Sequence, residues 1–498
     1  GASSGMAMAH WEIQGWMILI LGWVFVPFYT RSMVYTMPEF LERRYNPQSR
    51  TILSVISLVS YVLTKVAVTV YAGGLVFQQV FGIKELWGID FFWIAAIGLV
   101  VLTALYTIFG GMKSVLYTSV LQTPILLLGS LIILVLGFKE LGGWDEMMRV
   151  CGAVTVNDYG DTMTNLIRSN DDANFPWLGA LIGSAIIGFW YWCTDQFIVQ
   201  RVLSGKNEME ARRGTIFGAY LKLLPVFLFL IPGMIAFALH QKYIGAGGEG
   251  FLPMLANGTA NADAAFPTLV AKLLPAGVKG LVVCGILAAL MSSLASLFNS
   301  SAMLFTIDFY KRFRPQTSEK KLVGIGQVAT VVIVILGILW IPIMRSVGDV
   351  LYTYLQDVQS VLAPGIAAAF LLGICWKRTS AQGGMWGLIS GMVIGLTRLG
   401  AKVYYSNAGE VADSTFKYLF YDMNWLFFCG WMFLFCIIVV IVVSLATEAP
   451  TAEKIQGLVF GTATKEQKAS TRASWNHWDI IHTVIILAIT GAFYWYFW

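Results

Sequence analysis

The sequence has little charge and little cysteine for its length. Only 12% of its 498 residues are Asp, Glu, Lys or Arg, against about 25% in a typical soluble domain. The net charge is +5, and the basic residues form short clusters and no long tract, so nucleic-acid binding is not expected. The six cysteines show no CxxC or Cys/His spacing, which argues against a disulfide framework or a zinc site.

The sequence also lacks a secretory leader and a legible catalytic centre. The first ten residues have no basic n-region, and the chain opens with Gly1, so we expect a piece of a longer protein. The sequence shows no recognisable catalytic arrangement of a nucleophile, a general base and an oxyanion donor. The histidines lie near the ends of apolar segments or in loops: His10, His240, His477 and His482. The sequence therefore predicts a protein that is not an enzyme.

Long apolar segments dominate the chain instead. Hydrophobic residues make up 57% of the sequence, and a helix needs about 20 apolar residues to cross a bilayer. We predict an all-α polytopic membrane protein, with one transmembrane domain over 1–498 and twelve spans. Their predicted limits are 12–31, 52–80, 89–110, 114–138, 177–199, 214–241, 278–309, 322–344, 348–376, 380–404, 421–446 and 476–498.

Lys and Arg divide unequally between the two sets of loops. One set carries twenty and the alternate set eleven, while Lys65 and Lys222 lie inside spans. Cytoplasmic loops are the richer in Lys and Arg, so we assign the first set to the cytoplasm and both ends of the chain to the outside. The outer loops 139–176 and 242–277 are long enough to hold a short helix each.

Polar residues inside spans are costly and are candidates for function. Glu12 fits either an interfacial position or a site. Lys222 lies too deep to reach the interface and needs a polar cavity or a counter-charge, as a site residue or in a structural salt bridge. Gln356, beside Asp357, fits either an interhelical hydrogen bond or a ligand contact. Nothing around Lys65 suggests a site.

Two adjacent serines share a helix face with an alanine. Ser292 and Ser293 lie three and four residues after Ala289. Such serines commonly bond back to a carbonyl or permit close helix packing. Alternatively, a loosened helix would join the Ala289 carbonyl to the two hydroxyls in an uncharged oxygen cluster, which suits a monovalent cation because calcium and magnesium sites recruit carboxylates.

Glycines and aromatic residues meet within the span 177–199. Gly179, Gly183 and Gly188 indicate a broken helix that exposes backbone groups to a cavity. The aromatic run Trp190–Trp192 follows. An aromatic ring beside polar donors is a common way to hold a sugar, although aromatic clusters in membranes more often serve packing.

Four strings resemble the sodium/solute symporter family: Thr36–Phe40, Ala104–Met112, Trp192–Arg201 and Phe298–Thr306. The last two are similar to its sodium/glucose (galactose) cotransporter branch almost letter for letter. The resemblance covers essentially the whole chain. It implies a leucine-transporter-type bundle of two inverted five-helix repeats with sites at the midplane. It also implies that one helix and most of the next precede Gly1 and supply two sodium-binding carbonyls.

The resemblance assigns a sugar site and its gates. The sugar-binding residues that it implies are Glu12, Tyr191, Lys222 and Gln356. Tyr191 stacks under the sugar as the inner gate, and Trp11 and Tyr352 align with outer-gate aromatics. Gly188 departs from the pattern, because it stands where a sugar-binding asparagine occurs in the galactose-transporting branch.

The resemblance also assigns Ala289, Ser292 and Ser293 to sodium. Ser119 and Ala295 depart from members that carry a second sodium, which have aspartate and threonine there. We therefore predict one sodium ion per solute.

These assignments predict a multi-pass cell-membrane (inner or plasma) symporter that imports a galactose- or glucose-like sugar with sodium by alternating access. No arginine stands ready for a carboxylate, which favours a neutral sugar or polyol. Inositol, sialic acid or another polar metabolite are alternative solutes, and a transporter-derived membrane sensor is the alternative class of protein. The expected partners are sodium, the sugar and the lipid bilayer, and the sequence specifies no oligomeric state.

Overall fold

The computed structural model describes residues 1–255, 258–347, 351–407 and 412–498, without the side chains of 106, 108–116, 118, 121, 344–347, 353 and 407. The α-helices are α1 (Ala9–Glu12), α2 (Gly15–Ile20), α3 (Val26–Ser32), α4 (Met37–Arg44), α5 (Pro47–Ser60), α6 (Ala67–Phe81), α7 (Phe91–Leu141), α8 (Trp144–Gly152), α9 (Trp177–Gly188), α10 (Gln196–Leu203), α11 (Glu208–Pro225), α12 (Ile231–Gly245), α13 (Ala265–Leu273), α14 (Ala276–Met303), α15 (Lys311–Phe313), α16 (Glu319–Val347), α17 (Leu351–Cys375), α18 (Ala381–Asn407), α19 (Thr415–Lys417), α20 (Trp425–Ala446), α21 (Ala452–Ile455), α22 (Lys465–Ala473) and α23 (His477–Tyr496).

Shorter elements connect or interrupt these helices. The π-helical segments are Leu21–Phe25, Tyr61–Val66, Phe189–Thr194, Val226–Leu230, Leu304–Tyr310 and Tyr418–Asp422, and the 3-10 segments are Gly5–Met8 and Ala262–Ala264. Strands β1 (Glu85–Leu86) and β2 (Ile89–Asp90) form a small antiparallel hairpin. As predicted, both long outer loops contain short helices, α8 in the first and α13 in the second.

Within the described ranges, ten helical segments are long and apolar enough to cross a membrane. They are Gly5–Ser32, Pro47–Phe81, Gln122–Leu141, Trp177–Thr194, Glu208–Gly245, Ala276–Phe313, Glu319–Ile343, Tyr354–Cys375, Trp425–Ala446 and His477–Tyr496. The two remaining predicted spans correspond to the shorter apolar stretch Phe91–Leu105 and to α18. The α-helical, multi-span architecture predicted from the sequence is thus confirmed.

The predicted helix break between spans 89–110 and 114–138 is wrong. The backbone is helical without interruption through the 51 residues of α7. Between the two predicted spans the sequence holds the glycine pair Gly110–Gly111, and glycine lowers helix propensity by only about 1 kcal/mol per residue. The side chains at 108–116 lie outside the described set, as does most of the predicted signature Ala104–Met112.

Small residues allow the helices of the second half to approach closely. A Cβ added at Gly391 of α18 would lie 2.6 Å from the Cα of Gly365 in α17. A Cβ at Gly383 would lie 2.0 Å from the Ser444 hydroxyl of α20. Small residues at such contacts are a common means of helix association in membranes. The first contact fixes α17, which carries Tyr352 and Gln356, against α18, and the second fixes α18 against α20.

Helix breaks place polar groups at the centre of the bundle. The chain turns at Ile13 and Gln14 between α1 and α2. A second break follows Thr194, where Asp195 is extended (ψ 127°) and its carboxylate caps α10 by accepting from the Phe197 amide at 3.1 Å. Irregular backbone at membrane depth is tolerated where protein or a cavity surrounds it.

Candidate functional site

A cavity of about 220 Å³ lies where α1, α9, α11 and α17 meet. Its lining residues are Trp11, Glu12, Gln14, Ile187, Gly188, Tyr191, Trp192, Lys222, Tyr352, Leu355, Gln356 and Gln359. All six side chains that the sequence assigned to the solute and its gates border this one cavity. At about 30 Å³ per liquid water molecule, the volume equals roughly seven waters, which suits one small polar metabolite.

A hydrogen-bonded ion pair crosses the cavity. Lys222 donates from Nζ to Glu12 Oε2 at 2.7 Å, and the Tyr352 hydroxyl donates to Glu12 Oε1 at 2.5 Å. The two charged side chains are only 15% and 19% exposed. Glu12 and Lys222 are the charged members among the described lining residues, and their charges cancel. A neutral solute therefore matches the net charge of the cavity.

Two polar atoms at the cavity lack a protein partner. Gln356 Oε1 and Trp11 Nε1 are buried and find no hydrogen-bond partner within the described part of the chain. A buried polar group without a partner costs about 1–3 kcal/mol, so an acceptor and a donor stand ready for a ligand. Asp357, next to Gln356 in sequence, instead pairs with Lys402 of α18.

Tyr191 lies on the π-helical segment before the Asp195 break, and a buried ion pair lies close to its ring. Lys65 forms an ion pair with Asp195, and its ammonium lies 4.9 Å from the centre of the Tyr191 ring. Tyr61 also donates to Asp195, at 2.8 Å. Nothing in the sequence around Lys65 links it with a site, whereas the structure places its ammonium next to the predicted inner gate.

Aromatic rings pack on Trp11, the residue before Glu12. Trp11 is 3% exposed and stacks on Trp425, with ring centres 5.4 Å apart at 23°. Phe175 meets Trp11 edge-on at 5.8 Å. Tyr352, the second predicted outer-gate residue, bonds to Glu12. The main chain of α17 is anchored nearby, because Asp263 accepts from the Leu351 amide at 3.1 Å.

The predicted sodium ligands lie on α14, one turn apart. Helix α14 is continuous, so the loosening considered for Ala289 is not observed. Ser292 is half-buried and its hydroxyl lies 2.6 Å from that of Ser119, while Ser293 is exposed. Hydroxyl oxygens without a carboxylate fit a monovalent cation. Whether Ala289, Ser292 and Ser293 bind sodium stays a prediction.

The sequence reasoning missed Gln14 and Gln359, which also line the cavity. Gln14 is 3% exposed and donates from Nε2 to the Ser184 carbonyl at 2.8 Å. Its Oε1 lies 2.5 Å from the position of a Cβ at Gly188. The Gln14 amide thus occupies the space that a side chain at position 188 would use. An amide two residues after Glu12 in an apolar span was the available signal.

Comparison with known proteins gives concordant matches. The model of the sodium:solute symporter family matches residues 1–391. The sodium/myo-inositol cotransporter 2 of Homo sapiens is 36% identical over 475 residues, which cover 93% of this chain and 69% of that protein. The sodium/mannose cotransporter of Bos taurus is 36% identical, covering 97% and 83%. The sodium/glucose cotransporter 4 of Danio rerio is 35% identical, covering 95% and 73%.

Among solved structures, a substrate-bound, outward-open sodium-coupled sialic acid symporter is similar in fold. The TM-score is 0.69 at 21% sequence identity, covering 90% of this chain and 85% of that one. The similarity confirms the predicted leucine-transporter-type architecture. At this level of identity it shows the fold alone.

Proposed function

Because the chain belongs to the sodium:solute symporter family, we propose that the solute it carries with sodium across the membrane is a neutral sugar or polyol. The charge balance of the cavity carries this proposal. Glu12 and Lys222 neutralise each other, and among the described lining residues no second cation stands free for an anionic solute. Binding a carboxylate there would leave a buried charge uncompensated, which is strongly unfavourable.

The remaining lining groups suit a solute whose ring carries several hydroxyl groups. A hydroxyl both donates and accepts, so it can donate to Gln356 Oε1 and accept from Lys222 or Trp11 Nε1. The Tyr191 ring offers an apolar face to the apolar face of the solute ring. The bonds among Tyr352, Glu12 and Lys222 would be exchanged for bonds to the solute, which keeps every buried polar group paired.

Alternating access follows from the two covers of the cavity. Trp11, packed on Trp425 and Phe175, would move to admit the solute from outside. Tyr191 would move to release it inside. Sodium at Ser292 and Ser293 would favour the conformation that holds the solute, and by linkage the solute would favour sodium binding equally. Each sodium ion that moves inward gains about 2.3 kcal/mol per 100 mV of membrane potential.

The two departures at Ser119 and Ala295 support one sodium per solute in the proposal. Ser119 faces Ser292 with a neutral hydroxyl, so no carboxylate is offered to a further cation at this contact. The printed names of the relatives span glucose, mannose and myo-inositol, so the solute class is proposed at the level of a neutral polyol.

A panel of labelled solutes tests the proposal. The protein in liposomes would receive glucose, galactose, mannose, myo-inositol and sialic acid under an inward sodium gradient or a matched potassium gradient. We expect sodium-dependent accumulation of at least one neutral member and none of sialic acid. Accumulation of sialic acid in place of the neutral solutes would overturn the assignment of solute class.

A further inference from the structure

An apolar groove of about 680 Å³ runs along the outer surface of α16, away from the central cavity. Its lining residues are Leu58, Val59, Val62, Leu63, Phe305, Lys321, Gly324, Ile325, Val328, Ala329, Val332, Ile333 and Leu336. All of them belong to segments that are apolar and long enough to cross the membrane. From Lys321 to Leu336 the groove follows sixteen residues of helix, and the fifteen rises of 1.5 Å between them span about 22 Å.

The floor of the groove is open at a glycine. A Cβ added at Gly324 would meet nothing within 4 Å, whereas one at Gly326, on the other face of α16, would touch Ala302. Val328 and Val332, one and two turns further along, are 65% and 49% exposed. The depth of the groove therefore comes from a missing side chain, and its walls are hydrocarbon.

One end of the groove is charged. Lys321 is the charged residue among the described lining groups, and it lies at the start of α16. Lys311, Arg312, Arg314 and Lys320 are exposed in the same connection, against one acid, Glu319. The excess of Lys and Arg there assigns this end to the cytoplasmic face, where anionic lipids attract basic residues.

We propose that this groove binds an anionic phospholipid of the cytoplasmic leaflet, with one acyl chain along α16 and the headgroup phosphate at Lys321. A hydrocarbon chain fits the apolar walls, and the fixed cation at one end selects the headgroup charge. The site is independent of the solute proposed above.

The groove also touches the support of the inner gate. Val62 and Leu63 form part of its wall, and they lie on the π-helical segment Tyr61–Val66 that carries Lys65. The Leu63 carbonyl accepts from the Tyr354 hydroxyl of α17 at 3.1 Å. A bound acyl chain would therefore buttress the segment whose lysine pairs with Asp195 behind Tyr191.

Native mass spectrometry of the purified full chain tests the proposal, with phosphatidylglycerol and phosphatidylcholine of identical acyl chains as the probes. We expect phosphatidylglycerol to be retained preferentially. Lys321→Gln should weaken its binding about fivefold, which corresponds to the roughly 1 kcal/mol that a basic residue contributes at an anionic surface. Lys320→Gln, which removes a neighbouring charge outside the groove, should have a smaller effect.

A second pair of variants tests the apolar part of the groove, where the acyl chain is proposed to lie. Gly324→Leu adds a side chain whose Cβ lies in open space and whose remaining atoms enter the groove, and it should abolish the preference for phosphatidylglycerol. Gly491→Leu is the matched control, because Gly491 of α23 also has open space at its Cβ position. Three outcomes would each overturn the site: equal retention of both lipids by the unaltered protein, equal loss of binding in Lys320→Gln and Lys321→Gln, or unchanged binding in Gly324→Leu. The groove would then be covered by bulk lipid or by a protein helix.

Discussion

Glu12 and Lys222 are 210 positions apart in sequence, yet the carboxylate and the ammonium meet at 2.7 Å inside the bundle. Taken separately, neither charged residue has an evident reason to lie in an apolar segment. Together they form a neutral pair at a cavity that also offers the unpaired Gln356 Oε1. The pair explains how two charges can be held at membrane depth, and why a neutral, hydroxyl-rich solute is the expected guest.

Replacing Lys222 by alanine should cripple solute uptake while the protein still inserts and folds. Hydrogen bonds to charged groups contribute about 1.5–3 kcal/mol, so the apparent affinity for solute should fall roughly 10- to 100-fold. Initial uptake rates across a range of solute concentrations check this. Lys242→Ala is the control, because Lys242 donates to the Leu141 carbonyl at the outer end of α12. Normal uptake by Lys222→Ala would remove Lys222 from the site.

Ser293→Ala should raise the sodium concentration that gives half-maximal uptake. Loss of one neutral oxygen contact of about 0.5–1.5 kcal/mol predicts roughly a two- to tenfold increase. The solute concentration for half-maximal uptake at saturating sodium should change little. Ser390→Ala provides a matched control, since the Ser390 hydroxyl bonds back within α18 to the Gly387 carbonyl. An unchanged sodium dependence in Ser293→Ala would exclude Ser293 as a ligand.

The effect of a substitution at position 188 on solute uptake should depend on residue 14. Gly188→Asn places a Cβ 2.5 Å from Gln14 Oε1, the far end of a flexible side chain. The Gln14 amide must therefore move and lose its bond to the Ser184 carbonyl, so uptake should fall. The double variant Gln14→Ala with Gly188→Asn frees the space and should recover uptake, with a changed preference among hexoses. Residues in contact show interaction energies of about 0.5–3 kcal/mol in such cycles. Purely additive losses across the two single variants and the double variant would contradict the contact.

Asp263, which lies outside the membrane-spanning segments, should make the stability of the folded protein depend on pH. Burial raises the pKa of this carboxyl from 3.8 to about 6, and the hydrogen bond from the Leu351 amide opposes that rise. The folded protein then binds the proton more tightly than the unfolded chain does. The free energy of unfolding should therefore fall as pH rises from about 4 to 6, by up to about 3 kcal/mol at 1.36 kcal/mol per pKa unit.

The check on Asp263 is thermal unfolding in detergent across that pH range. Asp263→Asn cannot titrate, so its unfolding temperature should lack the contribution that the unaltered protein gains towards pH 4. Parallel pH profiles for the two proteins would show that Asp263 titrates normally.

Span positions were predictable, and so was the set of polar and aromatic residues that lines the cavity, because each leaves a local signal. A polar residue such as Lys222 in an apolar run is conspicuous, and its spacing from the strings that resemble the family predicts a role in solute binding. The twelve predicted segments correspond to helices for the same reason, since hydrophobic length is a one-dimensional property. The predicted helix break inside α7 was wrong, because glycines between apolar runs do not by themselves end a helix. The loosening considered at Ala289 is not observed in α14 either.

Contacts that join distant segments were not predictable. Lys65 and Asp195 are 130 positions apart, and their pairing behind Tyr191 depends on how α10 turns away after the extended Asp195. The Gln14 side chain lines the cavity because the chain turns at that residue and because Gly188 has no side chain to fill the same space. Both depend on helix placement, which a single sequence does not encode locally.

We propose that a neutral polyol bound in the cavity of Glu12 and Lys222 crosses the membrane together with sodium bound at Ser292 and Ser293. Simultaneous measurement of labelled sodium and labelled solute entering the same proteoliposomes tests it most directly. We expect equal initial fluxes, one sodium ion per solute, with both solute-dependent fluxes lost in Lys222→Ala. Solute entry without sodium entry, or two sodium ions per solute, would contradict it.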